Sequence, residues 1–327
     1  MLRTLLPFIA LAPLAPFATG CASSSTSNLT DAGDAGTEPP TSPPDATAGD
    51  TGSPTGAKAR AEVQAACEQL WDAEVSLGKR CGVPDRSPAR AAELRSRSAT
   101  ACVGRVMAPG NAQSVASLQA CAMLSTSLGC DDKLSEACEA IAGSRTPTES
   151  CGSNTQCASS TCVLPGSGGE PCGACAATVA TGQACGNGVY CATSNACVKG
   201  VCTAVSRSAV GGTCGSQVAS CTGRLECDST TDTCVPLPRN EGDACVAYRC
   251  FPNLVCGLDK KCLAYTWVGI GESCDTTHQC EKGSCSSGKC KAPTADGATC
   301  TASSALCDTF GGCLGGKCAI ADPSSCL

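Results

Sequence analysis

The sequence predicts a small disulfide-rich protein in two parts: an Ala-rich α-helical module of three or four helices, then an extended array of short disulfide-stapled β-hairpin repeats. Two observations lead there. Of the 33 cysteines, 26 lie between Cys151 and Cys326, in a unit recurring about every thirty residues with almost no large apolar side chain between them. Residues 58–143, in contrast, are rich in Ala, Leu, Val, Glu, Arg and Gln, with apolar residues at helical spacing. A segment without an apolar core folds only if something else supplies the cohesion, and in an oxidising compartment that is the disulfide.

The amino terminus, residues 1–20, reads as a signal peptide. Arg3 supplies the cation of a short n-region, and Leu5 to Ala18 is an apolar run too short and too proline-broken to span a bilayer. It ends in Ala18-Thr19-Gly20-Cys21, which resembles the lipobox cleaved by bacterial signal peptidase II. That resemblance implies a lipidated Cys21, with several acyl chains forming a firm membrane anchor. Residue 22 is Ala and not Asp, so the inner-membrane retention signal of enteric bacteria is absent and an outer-membrane or cell-surface destination is expected. Residues 21–57 then form an acidic Ser/Thr/Pro tether without aromatic or cation, which cannot offset its chain entropy by burial. As a flexible coil it reaches roughly 30 Å.

In residues 58–143 the first helix carries Val63, Cys67, Leu70, Leu77 and Cys81 on one side and stops at Gly82. A second starts with Ser87 as N-cap and Pro88 at the first helical position, and carries Leu94, Cys102 and Val106 to the break at Pro109-Gly110. Asn111 can cap a third, with Val115, Leu118, Cys121 and Leu124 inward and Gly129 after it. A short fourth would hold Leu134, Cys138 and Ile141. The six cysteines number evenly and suit three bridges between helices. Cys102 with Cys121, flanking the Pro109-Gly110-Asn111 turn, is the first expectation, with Cys67–Cys138 and Cys81–Cys130 following from antiparallel helices. Ten basic and ten acidic residues here leave no basic face for nucleic acid.

The array, residues 144–327, contains five regular copies beginning at Cys185, Cys214, Cys245, Cys274 and Cys300, each with four cysteines and a Gly two or three residues ahead of the first. Cys274, Cys280, Cys285 and Cys290 make a typical copy. An irregular opening copy (Cys151, Cys157, Cys162, Cys172, Cys175) and the leftover Cys326 suit end caps. The last two cysteines of a copy enclose turn-prone pairs such as Lys199-Gly200 and Ser287-Gly288, hence a hairpin pinned to a preceding loop. Pairing first with third and second with fourth staples that hairpin to both sides of the loop; third with fourth stays open. These G-x-x-C-x(4–6)-C-x(4–5)-C-x(4–6)-C units look like the cysteine-rich module named after the amino-terminal domain of Dickkopf proteins and the EB module of nematode proteins. The whole chain resembles cysteine-rich surface lipoproteins of myxobacteria. The likeness rests on Cys and Gly and carries over no functional residue.

Catalytic sites find little support. His278 is the one histidine and sits in a short loop, so catalytic triads and zinc are disfavoured, and no cofactor or metal is expected. Cys172-Gly-Ala-Cys175 has redox spacing without a surrounding βαβ pattern. Tyr248, Phe251, Tyr265 and Trp267 cluster in a region with little core, and form either local packing or a candidate binding patch for an extracellular protein or glycan. The reading is a non-enzymatic, extracytoplasmic lipoprotein held at the membrane by its anchor, for binding, adhesion or protection. A protease-inhibitor-like module and a C-x-x-C thiol-redox protein are the alternatives.

Overall fold

A computed structural model describes residues 57–133, 138, 141–164, 171–186, 188–215, 219–301 and 306–326. The signal peptide, Cys21, the tether and most of the fourth helix lie outside the described residues. Three helices form the module: α1 (Ala57–Arg80), α2 (Pro88–Val106) and α3 (Val115–Leu124). Gly82 leaves α1 in the left-handed region at φ +80°, and the Ser87 hydroxyl caps α2 by accepting from Arg90 N at 3.3 Å with Pro88 behind it, as the sequence predicts. The core joins Val63, Ala66 and Cys67 of α1 to Ala99, Cys102 and Val103 of α2 and Leu118 of α3.

Several expectations for this module are corrected. Ser114, not Asn111, caps α3 in a capping box with Ser117. The Asn111 carboxamide accepts Gln113 N and donates to Thr155 of the array. The helix ends at Leu124, which is exposed, well before Gly129. Cys81–Cys130 forms as expected, but the other bridges are Cys67–Cys102 and Cys121–Cys138. Cys67 and Cys102 flank the 81–87 connection as evenly as Cys102 and Cys121 flank the next turn, so symmetry about a turn did not decide. What decides is that α1 and α2 form the longest packed pair and bury Cys67 and Cys102 face to face, whereas Cys121 sits on a less buried side of α3.

Every regular copy of the array pairs its first cysteine with its third and its second with its fourth. The third and fourth lie directly opposite in an antiparallel ladder, as at Cys197↔Cys202, Cys285↔Cys290 and Cys313↔Cys318. Opposite residues project from the same face, so both bridges leave the hairpin toward the same preceding loop. The glycine ahead of each copy is in the left-handed region: Gly182, Gly211, Gly242, Gly271 and Gly297 have φ between +78° and +88°. Each N–H donates to the fourth cysteine's carbonyl at 2.7–2.8 Å, and each closes a four-residue turn, for example Glu272 N to Gly269 O. A Cβ at any of the five would meet nothing within 4 Å, so glycine is required by the backbone angle and not by space. In four of the five regular copies the stretch ahead pairs parallel with the segment at the second cysteine, Thr266–Val268 with His278–Cys280 being one case. Copy therefore leans on copy through main-chain bonds, over a core made almost entirely of sulfur.

The array's path is the feature absent from the sequence pattern. Arg224 of the copy beginning at Cys214 donates to the carbonyls of Asp131 and Asp132. Asn253 of the next copy rests on Gly82. Glu281 reaches Ser87, Asp308 reaches Arg90, and Pro323 lies on Gly104, so successive copies progress along α2 from its first residue toward its last. The carboxyl-terminal turn Pro323–Ser325 then meets the opening copy, where Cys172–Cys326 joins residues 154 apart and closes the array into a ring that packs along α2. Gly152 permits this closure, since a Cβ there would come within 2.7 Å of Pro323 Cα. The fully buried Gln156 carboxamide accepts from Gly152 and Ser153 N–H at 2.7 and 3.1 Å and donates to Pro109 O at 2.9 Å, locking the same junction.

Candidate functional site

The aromatic cluster resolves into one exposed residue and three that hold the molecule together. Phe251 is 4% exposed, with the Arg239 guanidinium 4.6 Å from its ring centre. Tyr265 stands edge-on to Trp267 at 5.2 Å and donates its hydroxyl to Pro252 O. Trp267 donates its indole N–H to Pro84 O at 3.2 Å, and Arg86 lies over its ring at 3.9 Å. The expectation that Phe251, Tyr265 and Trp267 form part of a binding patch is thus corrected. Phe251 packs within the array under Arg239, whereas Trp267, with Tyr265 edge-on to it, packs against the α1–α2 connection, where the indole has a carbonyl to satisfy it. Burial pushes the Tyr265 phenol up, partly opposed by Arg86. Burial, followed by repulsion from Arg90, pulls the Arg86 guanidinium down. Tyr248 alone faces solvent, 73% exposed.

Beside this contact runs an ionic seam that the sequence reading missed. Arg90, 5% exposed, forks onto the Asp308 carboxylate at 2.7 and 3.0 Å and donates to Thr309 Oγ1 at 2.9 Å. Lys282 approaches Asp308 at 3.2 Å and also pairs with Glu93. Arg97 donates to Thr309 O at 2.7 Å and pairs with Asp296. Burial alone would raise the Asp308 pKa, but the Arg90 fork, the Thr309 N–H and Lys282 outweigh it and hold the carboxyl well below the usual carboxylate range. Arg90, Glu93 and Arg97 lie at i, i+3 and i+7 of α2, a charged stripe that by pattern reads as a solvated face. No local signal distinguishes it, because its partners come about 200 residues later in the chain.

The cysteines leave no dithiol pair for exchange among the described residues. Cys172 and Cys175 do not bridge each other: Cys172 joins Cys326 and Cys175 joins Cys157. The opening copy is completed by Cys151–Cys162. The close cysteine trios, such as Cys274, Cys280 and Cys290, consist of sulfurs already in disulfides, so they offer no thiolate to a metal. His278 is exposed, its Nδ1 3.0 Å from Asp275. Asp275 is held down to about 2, chiefly by the His278 backbone N–H and then by the Thr277 and His278 side chains. Sixteen disulfides place the body in an oxidising environment, and no helix among the described residues is long and apolar enough to cross a membrane. No family model, curated protein or solved structure matches the chain.

Proposed function

We propose that this is a non-enzymatic, lipid-anchored protein of the outer membrane or cell surface, whose bridge-locked body serves binding, adhesion or protection. The observation carrying this reading is that every cysteine from Cys67 to Cys326 is consumed in a disulfide, one of which joins the two ends of the array. Such a body has no reducing chemistry to perform and every means of resisting proteases, as a protein exposed outside the cytoplasm requires. The thiol-redox alternative would need Cys172 and Cys175 to bridge each other, and they bridge elsewhere. The inhibitor-like alternative would need an extended loop between two bridges. The exposed loop Cys245 to Cys250 turns instead through Ala247 and Tyr248 at φ +46° and +61°.

The anchor is tested directly. Mass spectrometry of the native protein should find an acylated Cys21 at the amino terminus, and Cys21→Ser should free the protein from membranes washed with about 0.5 M salt, where exposed charge contacts are screened. Protease applied to intact cells reports the face, and a pull-down with the intact mature protein reports the partner. A native chain without acylation, or a salt-washed Cys21→Ser protein still in the membrane fraction, would overturn the anchored reading.

A further inference from the structure

Three of the five regular hairpins reverse through two-residue turns with both residues left-handed, and glycine takes the second place: Lys199-Gly200, Ser287-Gly288 and Gly315-Gly316. The Cys245–Cys250 loop makes the same reversal. Val246 and Arg249 exchange N–H···O bonds of 3.1 and 2.7 Å around Ala247 and Tyr248. In the copy beginning at Cys185, Gly186 and Val189 exchange the equivalent pair and Gly188, at φ +85°, stands in the second place. Tyr248 therefore occupies a left-handed position that its sister copy gives to glycine, and L-residues resist that conformation. The strain is held by Cys245–Cys256 and Cys250–Cys262, one at each end of the turn.

What the strained turn presents is an apolar tip. Tyr248 at 73% and Leu258 at 93% are the two most exposed large apolar side chains among the described residues. Their turns adjoin: Cys245 N donates to Lys260 O at 2.8 Å, and the Lys260 ammonium lies 5.5 Å from the centre of the Tyr248 ring. Arg249, Lys260 and Lys261 lie in or beside the two turns with Asp259, and Asp275 of the next copy lines the same surface hollow as Leu258 and Asp259, in a chain of net charge −6. Arg249 is paired with Glu226, which leaves Lys260 and Lys261 as the exposed cations at the base of the two side chains.

We infer that the adjoining turns at Ala247–Tyr248 and Leu258–Lys260 dock on an anionic bilayer, with Tyr248 and Leu258 entering the headgroup boundary and Lys260 and Lys261 meeting lipid phosphates. Protruding apolar tips above cations suit a fluid surface that needs no matching pocket. An acidic glycan would use the lysines and leave Leu258 without a role. The inference rests on the anchored reading in one respect: a tether of roughly 30 Å keeps the body at the membrane, so a weak contact is enough to orient it.

The test uses the full chain carrying Cys21→Ser, which removes the acyl anchor, in co-sedimentation with phosphatidylcholine vesicles with and without roughly one-third phosphatidylglycerol. It should bind the anionic vesicles in preference to the neutral ones. Tyr248→Gly should weaken binding about tenfold while leaving the melting temperature equal or higher, because glycine relieves the turn. A side chain that served only the fold would show the opposite. Leu258→Ser should weaken binding to a similar degree, and Lys260→Gln with Lys261→Gln should abolish the preference for anionic vesicles. Absence of vesicle binding, or binding unchanged by Tyr248→Gly and Leu258→Ser, would overturn the inference. Loss with the lysine pair alone would reassign the tip to a polyanion, and a partner captured through Tyr248 without vesicle binding would reassign it to a protein. Acylation of Cys21, read separately by mass spectrometry, keeps failure of the anchor distinct from failure of the tip.

Discussion

Removing the ring closure is the sharpest perturbation the structure offers. In a Cys172→Ala/Cys326→Ala variant fifteen local bridges and no free thiol remain, so only the join between the array's two ends changes. That bridge spans 154 residues, whereas those within the regular copies span 10 to 13. The other bridges short-cut the loop to something on the order of 100 residues, for which the chain-entropy model gives about 4.7 kcal/mol, against about 3 kcal/mol for a local loop. Packing that survives the substitution reduces the loss, since Pro323 still lies on Gly104 and Gly152 and the Gln156 carboxamide still bonds Pro109. For a body of this size each kcal/mol is worth about 2–4 °C, so the melting temperature should fall by several degrees and by at most about 20 °C. Limited proteolysis should cut first near Asp322–Ser325, which the wild type protects. A shift under about 2 °C, with that segment as resistant as before, would refute the argument and show that packing closes the ring.

At Gly271 the expected order of stability is Gly, Asn, Ala, Val, with Ala costing about 1 kcal/mol, because φ is +85° while the surrounding space is open; chemical denaturation of the four proteins checks it. Asp308→Asn leaves the buried Arg90 guanidinium with Glu93 as its remaining carboxylate partner and should cost about 2 kcal/mol by urea unfolding at neutral pH. The Asp308 carboxyl is depressed in the folded protein, so its stabilisation is complete above the unfolded carboxylate pKa near 4 and drains away as pH falls through the folded value. Wild type should therefore lose stability below about pH 4 more steeply than Asp308→Asn. Full reduction should expose the array to protease throughout while circular dichroism still reports residual helix, since the array's buried residues are mostly cysteines and the helical core includes Val63, Ala66, Ala99, Val103 and Leu118.

Much of what depended on neighbouring residues was legible before any coordinates, although the α3 cap reads in sequence as Asn111 and is Ser114. Ser87 and Pro88 announce the start of α2 because capping is satisfied within one turn. The five glycines and the turn pairs announce the hairpins because a left-handed residue and a two-residue reversal are local needs. The hairpin favours first-with-third and second-with-fourth, which staple it to both sides of the loop, but leaves third-with-fourth open, and the tertiary structure decides between them. Only tertiary structure decided the rest. Cys67–Cys102 depended on which helix pair packs longest, and spacing about a turn was satisfied twice. In sequence Trp267 reads as either local packing between copies or a binding patch, and Arg90 as a solvated charge. They are interface residues because the array curls back until Pro84, Arg86 and Asp308 reach them. The ring itself, Cys172 to Cys326, is a long-range closure set by the accumulated rotation from one copy to the next, a quantity that no single copy's sequence encodes.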